Sequence, residues 1–573
     1  MNRSVTKVVL MGSVAALAAG LTSSSGQAQS HVWRRGGPRD WSHSHLVASR
    51  FGPDLDQNIE RDWRTHVKHV HLEQARAMQA SPVVDWFDQL QRRVGLPRQS
   101  RSSGSKLDWN LKTGGFGNVV GSPAKYSFDI SAANCSDVIY FTVDQAGAAT
   151  TPNVIAITNA YAGCAGNAAG TTPTVKWAIA MTSGTATSTV PSLDGSVLYV
   201  LESSAAGVVL HAINVNNITT NPGSYSFLTQ SWLTTHTLAA PTGTASSEQL
   251  FQIAFPGVVN DVASPYLDYA GNQLFFGDSA GRIQHVVNTN LATASRDVTH
   301  FTNACGTAQL QSPVFVNGQV IVSSYNGRLY RLDTTGASPY TCTASQQGGS
   351  GVGLAGALSP PVVDVTNNEI VVATNDAAGY GIAGIGTFNL MFASGAAQVT
   401  GVQLGAKTTT APVAPSFDDA FWSTNNGNAY AVGSPTAGGD TYLVRFPYNG
   451  GLGSAAGYAQ LHRSGAASMV AASPVTEFLT ASSLANKDFV FVGGGGGSYL
   501  FMNRIGAGFA GSDTTPVGMD SWFAVTGGAI SGIVIDTRTS NITGSTATAN
   551  IYFGTMGVGA TTQSTIVQLA QQF

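Results

Sequence analysis

Residues 312–336, SPVFVNGQVIVSSYNGRLYRLDTTG, set short runs of β-branched and aromatic residues around two Asn-Gly steps and close on Thr-Gly. Asn317-Gly318 and Asn326-Gly327 supply the positive φ that two-residue hairpins need. Pro313 has no N–H to give a sheet, so it suits the entrance of a strand. The stretch reads as antiparallel strands opened by Ser-Pro.

The same order recurs along the chain. Further copies start at Ser122 (SPAKYSFDI), Val190 (VPSLDGSVLYV), Ser264 (SPYLDYAGNQLFF), Ser359 (SPPVVDVTNNEIVV), Ala414 (APSFDDAFW), Ser473 (SPVTEFL) and Ser531 (SGIVIDTR, without the Pro). With Ser312 they make eight copies, 47 to 74 residues apart. A sheet this small cannot bury both of its faces alone. Copies arranged around an axis cover one another. The expected fold is all-β: an eight-bladed β-propeller, seven blades being the alternative count, with a short α-helical arm ahead of it.

An outer fourth strand should precede each copy. TVKWAIAMTSG from Thr174 has that place before the second copy, and LDWNLKTGG from Leu107 aligns with it, Trp109 on Trp177. Residues 107–111 are therefore expected to form the outer strand of the last blade, beside residues 566–569. Such a strand closes the ring and removes the edges that an open row of blades would expose. The expected division is residues 1–28 as a signal peptide, 29–105 as a basic helical arm and linker, and 106–573 as the propeller.

The order Ser-Pro, β-run, Gly turn, β-run, Trp strand resembles the quinoprotein (PQQ-type) β-propeller repeat over residues 106–573. DWSHSH from Asp40, KLDWNL from Lys106 and the Cys135/Cys164 pair around the first copy also resemble a group of exported propeller proteins of soil bacteria. The resemblance implies the fold. Quinoprotein dehydrogenases typically place a vicinal Cys-Cys against the quinone and clustered Glu, Asn and Asp on calcium. This chain has no Cys-Cys, and its propeller region holds only Glu202, Glu248, Glu369 and Glu477. No quinone, metal or other cofactor is expected.

Charged residues make up 10% of the chain and glycines number 66, which suits a turn-rich β protein. Arg3 and Lys7 precede an apolar run from Val8 to Leu21, and Gly26 and Ala28 are small residues placed for cleavage after Ala28. That run is too short to favour a membrane span, and no Cys follows it to carry a lipid. The protein is expected to be exported, periplasmic or extracellular, not a lipoprotein and not membrane-spanning. Four cysteines in an exported chain imply disulfides. Cys135 and Cys164 bracket two strands of one blade and are expected to pair, which leaves Cys305 with Cys342. Closing a loop of about 30 residues contributes on the order of 3 kcal/mol in the chain-entropy model.

Residues 31–112 carry 14 Lys/Arg against 9 Asp/Glu, and residues 113–573 carry 12 against 22. A basic arm thus precedes an acidic body. Ile59, Trp63, His66, Val67, Val70 and Ala77 fall on one side of a helix over residues 59–78. It is expected to dock through Trp63, Val67 and Val70 on the outside or one face of the propeller. A second helix is expected from about Pro82 to Val94, opened by Ser81. Six of the eleven histidines lie in the arm. His43, His45, His66 and His69 are the metal-ligand candidates, against the plainer reading in which His66 is simply satisfied under the helix. DLDQNIE from Asp54 lacks the Gly of a calcium loop at its sixth position and reads as a helix start. The glycine run ending at Ser498 continues into Tyr499-Leu500-Phe501, a strand rather than a phosphate-loop helix. No catalytic residue is assigned. The expected role is binding or scaffolding for a polysaccharide, a protein or a cell-surface component, with no nucleic-acid partner. The alternative is an oxidoreductase or lyase with a site in the central funnel.

Overall fold

Each Ser-Pro copy opens one sheet, and there are eight sheets. The computed structural model describes residues 36–48, 63–65, 67–68 and, with intervals omitted, 105–572. Residues 1–28, residues 82–94, His66, His69 and Val70 lie outside the described residues. Eight sheets of four or five strands follow one another in chain order and are numbered here as blades 1 to 8. Their innermost strands are Asn118–Ser127, Val190–Pro191, Tyr266–Asp268, Val314–Val316, Val362–Asp364, Ser416–Phe417, Thr476–Leu479 and Val534–Asp536. The fold is an eight-bladed β-propeller.

Three features of the repeat have direct physical causes. The serine that opens a copy stands just before the inner strand begins, and both its backbone and its hydroxyl reach the second strand. Ser359 N donates to Ala373 O at 2.8 Å and Ser531 N to Gly554 O at 2.9 Å, while Ser359 Oγ accepts from Ala373 N at 3.0 Å, Ser473 Oγ from Gly493 N at 2.7 Å and Ser531 Oγ from Gly554 N at 2.8 Å. An aspartate ends several inner strands because its carboxylate turns the chain. Asp268 Oδ1 accepts from Ala270 N at 3.1 Å, Asp364 Oδ1 from Thr366 N at 3.0 Å and Asp418 Oδ1 from Phe421 N at 3.0 Å. The glycine at the end of the second strand lets the next blade approach. A Cβ on Gly277 would stand 2.6 Å from Leu310 Cβ, on Gly493 2.8 Å from Ile530 Cβ, and on Gly554 2.0 Å from Val119 Cγ1. The last of these contacts joins blade 8 to blade 1.

The core lies between blades. Tyr140 and Trp177 of blade 1 pack with Leu198 and Val200 of blade 2, while Val119 and Ile139 of blade 1 pack with Tyr552 and Ile566 of blade 8. Ser105–Lys112, from ahead of blade 1, runs antiparallel to Thr565–Gln572 as the outer strand of blade 8, with Leu107 opposite Leu569 and Leu111 opposite Ile566. Trp109 of this strand donates from Nε1 to Ala160 O of blade 1 at 3.1 Å. The same seam buries Lys125, whose Nζ lies 2.9 Å from both Asp137 Oδ2 of blade 1 and Asp536 Oδ2 of blade 8. Disulfides join Cys135 to Cys164 and Cys305 to Cys342. Among the described residues no helix is long and apolar enough to cross a membrane.

Between blades 5 and 6, Tyr448 Oη donates to Asp364 Oδ2 at 2.8 Å and lies 3.3 Å from Glu369 Oε2. Burial, opposed by the Tyr448 hydrogen bond and reinforced by the Asp364 charge, pushes Glu369 up to about 7. The fold therefore favours the protonated carboxyl. Its contribution is fully present below about pH 4.5, the ordinary value, and is lost as pH rises towards 7. Glu369→Gln carries no such penalty. It is expected to raise stability at pH 8 by about 1–2 kcal/mol and to change little at pH 4. Denaturant titrations at the two pH values check this, and an equal effect at both would refute it.

Candidate functional site

The arm does not lie on the outside of the ring: its first described segment runs inside the channel. Gly37–Arg39 pairs antiparallel with the inner strand of blade 1, Gly37 opposite Ser127 and Arg39 opposite Lys125. Leu46–Val47 pairs parallel with the inner strand of blade 5, Leu46 beside Val363 and Val47 beside Asp364. Blades 1 and 5 face each other in a ring of eight. The segment thus enters along one wall, crosses the channel and returns towards the same end along the opposite wall.

Local chemistry makes the crossing. Asp40 caps the 3₁₀ turn Trp41–Ser44. Its Oδ1 accepts from Ser42 N at 2.8 Å and from the Ser42 hydroxyl, and its Oδ2 accepts from Tyr269 Oη of blade 3 at 3.0 Å. His43 completes a capping box, its Nδ1 accepting from Asp40 N at 3.0 Å. Trp41 donates from Nε1 to Pro265 O of blade 3 at 2.9 Å. Burial works to raise the Asp40 carboxyl. His43, Arg64 and Ser42 outweigh it and hold the group well below the usual carboxylate range.

Residues 63–65 and 67–68 are helical and cap this end of the channel. Trp63 is buried on the arm's own strand and donates from Nε1 to Pro38 O at 3.0 Å. A Cβ on Gly37 would fall 2.0 Å from the Trp63 ring, so glycine is what admits the indole there. Arg64 lies over the Tyr266 and Tyr269 rings of blade 3, 4.2 and 4.4 Å from their centroids. It donates to Ser42 Oγ and to Leu267 O, each at 2.6 Å. Lys68 forms an ion pair with Glu477 of blade 7 and lies 5.2 Å from the Trp422 ring centroid. Blades 3 and 7 also face each other, so the arm is braced across two crossing diameters. Glu477 and its neighbour Asp488 are both pushed up. Burial is the main cause for each; Lys68 opposes it at Glu477, and the Glu477 charge adds to it at Asp488.

The space left in the channel is a cavity of about 250 Å³. Arg39, Asp40, His43 and Lys68 line it from the arm; Trp422 and Glu477 line it from the blades. Its far end is walled by the residues that open the inner strands, among them Ser122, Ser188, Ser264, Ser312 and Ser531. Among the described residues lining it, Glu477 is the one charged side chain that the blades contribute.

The histidines of DWSHSH serve different ends. His45 Nδ1 lies 3.0 Å from Pro361 O, and burial lowers its pKa to about 4 against the help of that carbonyl. His43 and His45 both line the cavity. The described residues hold no group of three or more His, Cys, Asp or Glu side chains arranged to hold a metal. Trp63 and Val67 are buried at one end of the ring, the second of the two places expected for the docked helix; Val70 lies outside the described residues. The sequence reading missed Arg64, Lys68 and Trp422 as site residues. The pattern Asp-Trp-Ser-His, with a polar residue three after the aspartate, was a legible cap signal.

No protein-family model matches the chain, and no curated protein matches it. Among solved structures, the computationally designed Ika8 protein is similar over 82% of this chain and 100% of its own, with TM-score 0.44 and 10% identity. The WD40 domain of Toxoplasma gondii coronin is similar over 65% of this chain and 78% of its own, with TM-score 0.37 and 9% identity.

Proposed function

We propose that this chain is an exported binding module that takes the end of a polysaccharide, or of a related surface component, into the free end of its channel. One observation carries the reading: the channel is filled from one end by the protein's own segment, pairing Gly37–Arg39 with blade 1 and Leu46–Val47 with blade 5. A channel stopped in this way accepts a chain terminus and not the middle of a chain. Its free part is bounded by hydroxyls, an indole and a few charges, a mixture suited to a hydroxylated ligand. The two cystines fit an oxidising compartment outside the cytoplasm. An oxidoreductase or lyase would draw on the same cavity, with Glu477 as the carboxylate its blades supply. The resemblance to the quinoprotein-type repeat enters only through the fold.

The test compares polymers with their own fragments. Dextran and polygalacturonate, each before and after partial hydrolysis, are titrated calorimetrically into the full chain. For whichever sugar binds, sites per gram are expected to rise in proportion to the number of chain ends. Binding that follows polymer mass and ignores chain ends would place the ligand on an outer face. No binding of either sugar, whole or cut, would remove the saccharide reading.

A further inference from the structure

The serine that opens a copy bonds its own blade in three copies and is left to the cavity in others. Ser359, Ser473 and Ser531 close on second-strand amides. Six blades each put another hydroxyl in the cavity wall: Ser122, Ser188, Ser264, Ser312, Ser416 and Thr476. Ser188 Oγ accepts from Ser122 N at 2.7 Å and Ser264 Oγ from Ser188 N at 2.9 Å. A hydroxyl that accepts an amide proton keeps its own to give. Ser312 and Ser416 are each 7% exposed, and among the described residues neither hydroxyl has a hydrogen-bond partner. Neither oxygen is sealed in the protein, as His43 Nε2 is, and both side chains line the cavity. A nearly buried hydroxyl without a partner costs free energy that a polar ligand returns. The charges of the same wall are, by contrast, settled. Lys68 and Glu477 pair with each other, Ser42 and Tyr269 take the two Asp40 oxygens, and Arg39 is engaged as well. Burial, against the pull of Asp40, lowers the pKa of His43, and burial lowers that of His45 to about 4, so both rings are neutral near pH 7.

We infer that the cavity selects an uncharged hexose as the terminal unit of its ligand and rejects the hexuronate of the same shape, the wall hydroxyls meeting those of the sugar. The inference rests on the chain-end reading above and narrows it. A sugar hydroxyl both donates and accepts, so it answers a serine hydroxyl in either sense. A carboxylate would leave water for a wall whose described cations are all engaged, which costs far more than moving an uncharged hydroxyl there. A cavity of about 250 Å³ lies just below the roughly 300–1,000 Å³ of pockets for drug-sized ligands and takes one sugar unit, not several. Met556 of blade 8, half-buried in the same wall, offers apolar contact to the ring C–H groups.

Calorimetric titration of the full chain with glucose, galactose and mannose tests it, each beside the uronate that differs only in an oxidised C6: glucuronate, galacturonate and mannuronate. At least one hexose is expected to bind at least tenfold more tightly than its own uronate. Ser312→Ala and Ser416→Ala together are expected to weaken that hexose at least fivefold, while the melting temperature stays level or rises, because neither hydroxyl bonds the protein. Serines with only a structural role would show the reverse, a lower melting temperature at unchanged affinity, and that result would overturn the inference. If the double variant does not fold, the hexose–uronate comparison on the wild-type chain decides. A uronate that binds as tightly as its hexose, or more tightly, would overturn the inference and leave the chain-end reading standing. No binding of any of the six sugars would also overturn it and, together with the failure of the polymer test, would overturn both.

Discussion

Deleting residues 106–111 is expected to abolish the cooperative unfolding of the whole ring, not merely to loosen one blade. The strand Ser105–Lys112 completes blade 8 from the N-terminal side of blade 1, so every blade depends on it for a closed circle. It buries Trp109 and Leu111 in the core shared by blades 1 and 8. Each large apolar side chain contributes roughly 1.5–3 kcal/mol when fully buried. The lost pairing along Thr565–Gln572 and the bond from Trp109 to Ala160 O come on top. A loss above about 5 kcal/mol is comparable with the whole stability of a typical domain, about 5–15 kcal/mol. The freed edge of blade 8 is also a template for aggregation. A rescue separates closure from linker effects. The six deleted residues with their flanking Ser105 and Lys112, appended as one segment after Phe573 through a two-residue turn, can form the same antiparallel pair, and the melting transition is expected to return. A deletion variant that melts like the parent, or a rescue that restores nothing, would show that this strand does not close the ring.

The blade count was legible because its signals are local. A hairpin needs its Asn-Gly within two residues, and a Ser-Pro entrance is read in place, so Ser122, Ser264, Ser312, Ser359 and Ser473 announce themselves. The weaker copies at Ala414 and Ser531 keep the Asp that ends the inner strand, Asp418 and Asp536, and they too open blades. The cystines were legible from spacing inside a repeat already recognised. The channel segment was not. Its pairings use three residues and two, too few to show a period of two, and their partners lie in blades 1 and 5. It also buries the residues that composition assigns to a surface: Asp40, His45 and Arg64 are each at most 3% exposed. The net charge of the arm suggested attraction to an acidic body, a screened surface effect. What the structure has is buried charges paired one by one with named partners, and sequence separation hides such pairs.

Replacing Arg64 with Met is therefore expected to release the segment from the channel while the ring stays closed. The guanidinium is held between two tyrosine rings of blade 3, bonds Ser42 Oγ and Leu267 O, and helps keep the Asp40 carboxyl ionised. Methionine fills much of the volume and removes all of these bonds. Losing one member of a buried charged cluster typically costs about 3–5 kcal/mol. Ser42, His43 and Tyr269 still surround Asp40, so the lower end, about 3 kcal/mol, is expected. The segment has five paired residues and two buried tryptophans to set against that loss. The seam at Trp109 and Lys125 does not involve Arg64, so the main melting transition should persist. Trypsin under native conditions reads the result: Arg39 is protected in the wild-type chain and cut in the variant at least tenfold faster. An unchanged cutting rate would mean that Arg64 does not hold the segment. Loss of the main transition would mean that segment and ring unfold as one unit. Salt decides between burial and surface attraction. Exposed charges are screened beyond about 8 Å at physiological salt, whereas Arg64 and Asp40 meet out of water, so protection of Arg39 in the wild-type chain should not change with added salt. Cutting that accelerates as salt rises would put the segment on the surface and remove the stopped channel on which the binding site depends.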